Sequence, residues 1–159
     1  MSYLIPVQDM SVDGTVSGPT GSAPDIMDHV VLVDAVTDGA YFTLLVPNDW
    51  ASGVMQYQLL WLPASTDAAA HTVRWSMNVL ALPAGTDPTG AGTTTAWTGS
   101  SAARTVNQMV YEPAQTLLTP AAVDVLVRAD IRRLGGDAAD TYVGNVKLVG
   151  VIISYTANT

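Results

Sequence analysis

Val123 to Tyr155 reads VDVLVRADIRRLGGDAADTYVGNVKLVGVIISY, and this stretch decides the fold class. Val123, Val125, Val127, Ala129 and Ile131 share one parity, while Asp124, Arg128, Asp130 and Arg132 share the other. Only an extended strand places every second side chain on one face; a helix would spread these charges around its circumference. Gly135-Gly136 breaks the strand, Asp137 to Asp140 forms a polar turn, and Val146 to Tyr155 is a second apolar run. The chain therefore closes on a long strand, a connector and a return strand.

Working outward, the same alternation recurs upstream. Thr72 to Ala81 is its clearest instance, with Val73, Trp75, Met77, Val79 and Ala81 on one side and Thr72, Arg74, Ser76 and Asn78 on the other. That is an antiparallel strand with one face in the core and one in water. Val54 to Leu62 aligns Met55, Tyr57, Leu59 and Trp61, and Ala40 to Val46 aligns Phe42, Leu44 and Val46. His29 to Val36 is a near-continuous apolar run, read as a strand covered on both faces, and Asp38-Gly39 reads as a turn. Thr93 to Trp97 is a short edge strand, Arg104 to Tyr111 a weaker one, and Pro63–Ala70 and Pro113–Pro120 are connectors. About eight strands with turn signals between them predict an all-β, antiparallel two-sheet sandwich or a barrel. Regular strand–helix alternation, the mark of a parallel α/β sheet, is absent.

Composition agrees. The 159 residues contain 48% AVILMFWYC and 13% charged residues, enough apolar content for a core in a single domain. Of the fourteen acids thirteen are Asp, and Glu112 is the sole Glu; Asp favours turns and loops. The net charge of −8 lies wholly in the first 73 residues, which hold eight Asp and no Lys or Arg. Such a field disfavours nucleic acid and anionic membrane and suits a basic protein partner, or it serves solubility alone. With no cysteine there are no disulfides, thiol nucleophiles or thiolate metal sites. No basic segment followed by an apolar run opens the chain, and no run reaches the roughly 20 apolar residues of a membrane helix. The expectation is a soluble protein made in a cytoplasm.

Residues 1–28 read as an extended N-terminal arm, and 29–159 as the sandwich domain. After Tyr3-Leu4-Ile5, the segment from Asp9 through Asp13 to Pro24 is rich in Ser, Gly, Thr, Pro and Asp, and its prolines cannot donate to a ladder. It is either a frayed terminus or an arm anchored on a neighbour through Tyr3, Leu4 and Ile5.

No set of side chains suited to catalysis emerges. His29 and His71 stand at strand starts without a second ligand at metal spacing, and read as solvated strand ends. Asp137 and Asp140, with Asn145 nearby, offer oxygens to Ca²⁺, but lack a ligand ladder; Asx-turn capping or pairing with Arg132 and Arg133 is the simpler reading. No Gly-x-Ser-x-Gly is present, and Gly90-Ala91-Gly92 precedes threonines rather than a helix. No cofactor, metal or enzymatic activity is expected. Trp61 and Trp75 share parity with apolar neighbours and read as core, which leaves Trp50 and Trp97, in or beside loops, as the glycan-stacking alternatives.

The closing stretch also carries a resemblance. A strand ending in Arg, a Gly135-Gly136-Asp137 connector, the pair Asp140-Thr141 and an apolar strand ending at Tyr155 resemble a group of small structural proteins of tailed phages. Phe42 to Pro47, then Trp50, Gly53, Trp61 and Val73-Arg74-Trp75 extend the resemblance over residues 29–157. The poor 104–111 strand and the Ala/Thr/Gly-rich 84–103 segment depart from it. The resemblance implies a jelly-roll sandwich serving as a capsid cement or decoration subunit on the virion surface. It implies a homotrimer that bridges capsomers by contacting the major capsid protein. The acidic first half, with Tyr3, Leu4, Ile5, Asp9 and Asp13, would then face the capsid. The alternative within the same group is a tail-fibre or receptor-binding module that recognises host surface glycans.

Overall fold

Strand parity becomes two packed sheets in the computed structural model, which describes residues 1–6, 9–13 and 29–158. In chain order the strands are β1 (Ser2–Pro6), β2 (Ser11–Asp13), β3 (Val30–Leu32), β4 (Thr37–Leu45) and β5 (Trp50–Pro63). There follow β6 (Asp67–His71), β7 (Arg74–Leu82), β8 (Thr93–Thr98), β9 (Ala102–Arg104), β10 (Val110–Tyr111), β11 (Gln115–Leu118), β12 (Leu126–Leu134) and β13 (Val146–Ala157). One sheet runs β1-β13-β5-β10, with β3 also on β13 and β11 also on β5; the other runs β2-β4-β12-β7-β8, and β6 and β9 form a small third ribbon. All pairings are antiparallel. The protein is an all-β sandwich of jelly-roll type. Among the described residues no helix is long and apolar enough to cross a membrane.

The described strands number thirteen, more than the eight read from alternation. The five extra are β6, β9 and β11, in Ala- and Thr-bearing segments too short to show a period, and β1 and β2, in the segment read as an arm. The arm also needs correction. Ser2–Pro6 is not an extension towards a neighbour but an edge strand on β13, with Tyr3 opposite Ile153 and Ile5 opposite Val151. Residues 14–28 of the proposed arm lie outside the described residues.

The central strand is β12, flanked along its length by β4 and β7. Val127, Ala129 and Ile131 are fully buried and sit opposite Leu44, Phe42 and Ala40 on one side and Ala81, Val79 and Met77 on the other. The strand begins at Leu126 and not at Val123 because Asp124 turns the chain, at φ 57, and Val46 and Val125 bond across that turn. Asp tolerates the left-handed region better than most residues. Asp38-Gly39 is not a turn but part of β4. A Cβ at Gly39 would meet the Ile131 carbonyl oxygen at 2.4 Å, so the close approach of two strands calls for glycine there. The turn falls earlier, at Ala35 (φ 62), whose N–H donates to the Asp34 carboxylate at 2.9 Å.

Facing this layer, Met55, Tyr57, Leu59 and Trp61 of β5 are buried, as their shared parity predicts. In β13 a register shift between Leu148 and Gly150 moves the inward set from Val146 and Leu148 to Val151, Ile153 and Tyr155. This bulge explains why the segment reads as a uniform apolar run and not as an alternation. Val149 then faces outward, where it joins Leu60 and Leu62 in a small second cluster with Met109 and Ile152.

At one end of the core, Arg133 continues the inward parity of Ile131 and is fully buried. Its guanidinium donates to both carboxylate oxygens of Asp140 (3.0 and 2.8 Å), to Asp34 (3.1 Å) and to the carbonyls of Tyr142 and Gly144. Removing one member of such a pair strands the other charge, which costs about 3–5 kcal/mol. Arg133→Met should therefore lower the unfolding free energy measured by chemical denaturation by that amount, and a second change, Asp140→Asn, should recover part of it. An Arg133→Met variant as stable as the parent would contradict this account.

Candidate functional site

A strand with one buried face offers the other to solvent, and on the five-stranded sheet the registers give that face its order. Tyr41 of β4, Asp130 of β12, Asn78 of β7 and Thr94 of β8 form one row across four strands. Thr43, Arg128 and Leu80 form the next, and Leu45, Leu126 and Leu82 the one beyond. At a strand spacing of about 4.8 Å, the four-residue row extends about 14 Å. Tyr41 is 41% exposed, one of the few aromatic side chains so presented. Tyr41, Arg128, Asp130 and Arg132 line a shallow depression of about 380 Å³.

The polar groups of this face are partly engaged. Arg132 donates through Nε and Nη2 to a single oxygen of Asp130, Oδ2, at 3.0 and 2.9 Å. The other oxygen, Oδ1, is buried and has no partner among the described residues. Asn78 donates to the Thr94 hydroxyl at 2.7 Å, and Arg74, nearer the sheet end, donates to the Thr98 hydroxyl at 3.0 Å. Among the described residues Arg128 reaches the Pro88 carbonyl, at 3.5 Å. An exposed ring beside donors and acceptors held by their neighbours can stack on a ring-shaped ligand and bond its hydroxyls.

The tryptophans expected to do this do not. Trp97 lies opposite Trp75 on the inner side of β8, is 9% exposed and packs edge-on to Tyr57 at 5.4 Å. Trp50 is half-buried against the core, and its indole N–H is enclosed without an acceptor among the described residues. Trp97 is thus a core residue, while Trp50 opens β5 and packs against the core from its edge. Tyr3 and Ile5 are likewise engaged within the chain: Tyr3 packs edge-on against Tyr155 at 6.4 Å, and Ile5 is buried, leaving Leu4 outward at 48% exposure. Burial, more than the neighbouring Tyr155, raises the Tyr3 phenol above its ordinary pKa. Asp9 is exposed, and Asp13 ends β2.

The Asp137 to Asp140 turn is a corner. Asp137 accepts the Ala139 N–H at 2.8 Å, an Asx turn, while Asp140 is consumed by Arg133 and the Arg74 N–H. Asn145 turns away to accept the Asp34 N–H at 3.1 Å. Among the described residues no group of three His, Asp or Glu is placed to hold a metal. His29 is buried, contrary to the expectation of a solvated strand end; His71 is half-buried and contacts Asp67 at 2.7 Å.

Sequence reasoning missed Glu112. Fully buried, it accepts the Trp61 indole N–H at 2.9 Å and the Ser100 N–H at 2.7 Å. Arg104 lies nearby, its guanidinium 5.0 Å from the Trp61 ring centre and bonded to the carbonyls of His71, Ala102 and Ser100. Burial lowers the Arg104 pKa, and the Glu112 carboxylate is the largest influence opposing that shift. The available signal was that this chain places Asp everywhere else; a single longer carboxylate marks a place where reach matters.

No family model and no curated protein matches the chain. Solved structures do. The carbohydrate-binding module CBM36, in complex with calcium and xylotriose, superposes with a TM-score of 0.51 at 16% identity, over 96% of this chain and 99% of the module. The CBM22-2 xylan-binding domain from Paenibacillus barcinonensis Xyn10C gives 0.52 at 11% identity, over 94% and 93%. An exo-beta-1,3-galactanase from Phanerochaete chrysosporium gives 0.53 at 10% identity, over 97% of this chain and 29% of the enzyme. At these identities the likeness establishes the shared sandwich fold.

If Trp97 is core, Trp97→Ala should cost about 3–5 kcal/mol of stability, the ordinary penalty for emptying a buried aromatic site. Thermal unfolding would measure it. An unchanged midpoint would return Trp97 to the list of ligand contacts.

Proposed function

We propose that this chain is a non-catalytic carbohydrate-recognition module that holds an oligosaccharide across the outer face of the five-stranded sheet. The observation that carries the reading is the exposed Tyr41 ring, set in one row with Asp130, Asn78 and Thr94. The row offers the two chemistries a sugar requires, an aromatic plane for its C–H face and side chains that exchange hydrogen bonds with its hydroxyls. Two of the similar structures, named as a carbohydrate-binding module and a xylan-binding domain, support this assignment for a sandwich of this kind. A glycan receptor of this type also fits the receptor-binding alternative drawn from the phage resemblance, with Tyr41 in place of Trp50 and Trp97.

A second reading is the capsid decoration subunit, a homotrimer on the virion surface contacting the major capsid protein. It is supported by the placement of the whole −8 charge in the first 73 residues, which suits a basic shell. Because β1 belongs to the sheet, docking would run through the outward Leu4 side of that strand and not through a free arm.

A glycan array followed by calorimetry separates the two. Binding to a defined oligosaccharide should weaken about tenfold or more in Tyr41→Ala, a loss of stacking of the usual 1.4 kcal/mol size or larger, with the unfolding midpoint unchanged. Silence across the array, together with sedimentation on purified capsids, would replace the first reading by the second.

A further inference from the structure

The outer sheet face carries more positive charge than a receptor for neutral sugars requires. Only six residues of the chain are Lys or Arg. Arg74, Arg128 and Arg132 share the outward parity of this one sheet, in a protein of net charge −8. Arg132 is paired with Asp130, and Arg74 lies 3.9 Å from Asp137. For Arg128 the described residues supply no carboxylate, only the Pro88 carbonyl at 3.5 Å. It stands between Thr43 and Leu80, one row from the Tyr41 ring, and lines the same depression.

A guanidinium at a binding surface is planar and offers paired N–H donors that match an oxyanion. A hydroxyl of a neutral sugar can accept from it but brings no opposing charge. A carboxylate or sulfate does, and it would satisfy donors to which the described residues supply one long contact.

We infer that the ligand of this face is an acidic glycan, one bearing carboxylate or sulfate groups, whose anionic group is held by Arg128 while a sugar ring lies on Tyr41. This rests on the carbohydrate reading above and sharpens it. Asp130 lines the depression too, and because Arg132 already engages its Oδ2, it opposes the anion less than a free carboxylate would.

Calorimetry with the full chain against polygalacturonate (carboxylate), heparin (sulfate) and neutral xylan tests the inference. At low salt one or both acidic polymers should bind about tenfold or more tightly than xylan, with a preference that shrinks as salt screens the exposed pair. Arg128→Gln should abolish the preference for the acidic polymers, whereas Tyr41→Ala should weaken every glycan. The carboxylate and sulfate arms tell the two anions apart. Equal affinity for neutral and acidic glycans, or a preference untouched by Arg128→Gln, would overturn the acidic ligand while leaving a carbohydrate module. No binding in any arm, with Arg128→Gln folded and equally silent, would overturn both.

Discussion

Arg133 is a charged side chain with no exposed surface, and one whole end of the sandwich is arranged to make that tolerable. Burying a lone guanidinium is prohibitive, and burying one with both oxygens of a carboxylate and two carbonyls is not. The partners come from far apart in sequence: Asp34 precedes β4, while Asp140, Tyr142 and Gly144 belong to the connector between β12 and β13. Meeting its hydrogen-bond demand therefore fixes how β12 hands over to β13 and where the β3–β4 turn sits.

The constraint propagates through Tyr142. Its ring lies within 5.6 Å of the Arg133 guanidinium carbon and 5.8 Å of that of Arg104, and packs edge-on to Trp61 at 5.9 Å. Trp61 in turn packs edge-on to Trp75 and donates to Glu112, which holds the Ser100 backbone. Two cations, two buried carboxylates and three large rings thus form one connected block. The carboxylates at this end are committed to the arginines, to the Trp61 indole and to backbone N–H groups, so the acids and arginines that look most like chemistry in the linear chain are tied into the scaffold. On the flat of the five-stranded sheet, by contrast, side chains are held by neighbours but not enclosed.

Much of the fold was legible because alternation survives wherever a strand has one wet face. The β7 and β12 patterns were plain, and their buried sets agree with parity down to Met77 and Ile131. Legibility failed where that condition failed. The bulge after Leu148 erased the period in β13, and Gly39 resembled a turn because close strand approach and tight turning call for the same residue. Trp97 was misplaced for a related reason: an edge strand of threonines and alanine carries too little apolar contrast to show which way its one aromatic points.

The candidate site was not legible at all, and the reason is geometric. Parity says that Tyr41, Asn78, Arg128 and Asp130 point outward, but not that they are neighbours. Neighbourhood is set by register, and register by features hidden in the string: the Gly39 approach that fits β4 against β12, and the Asp124 turn that starts β12 three residues late. A one-residue slip of β4 would turn Tyr41 inward and Phe42 outward. Charge, too, reads differently along the chain and across the sheet. Counted along the chain, the acidic half looked like the partner-facing part; laid out as sheets, half of the scarce cations gather on one face, and the row beside Arg128 holds the exposed ring. A surface is read across strands, so the property that recruits a ligand can run perpendicular to the sequence that encodes it.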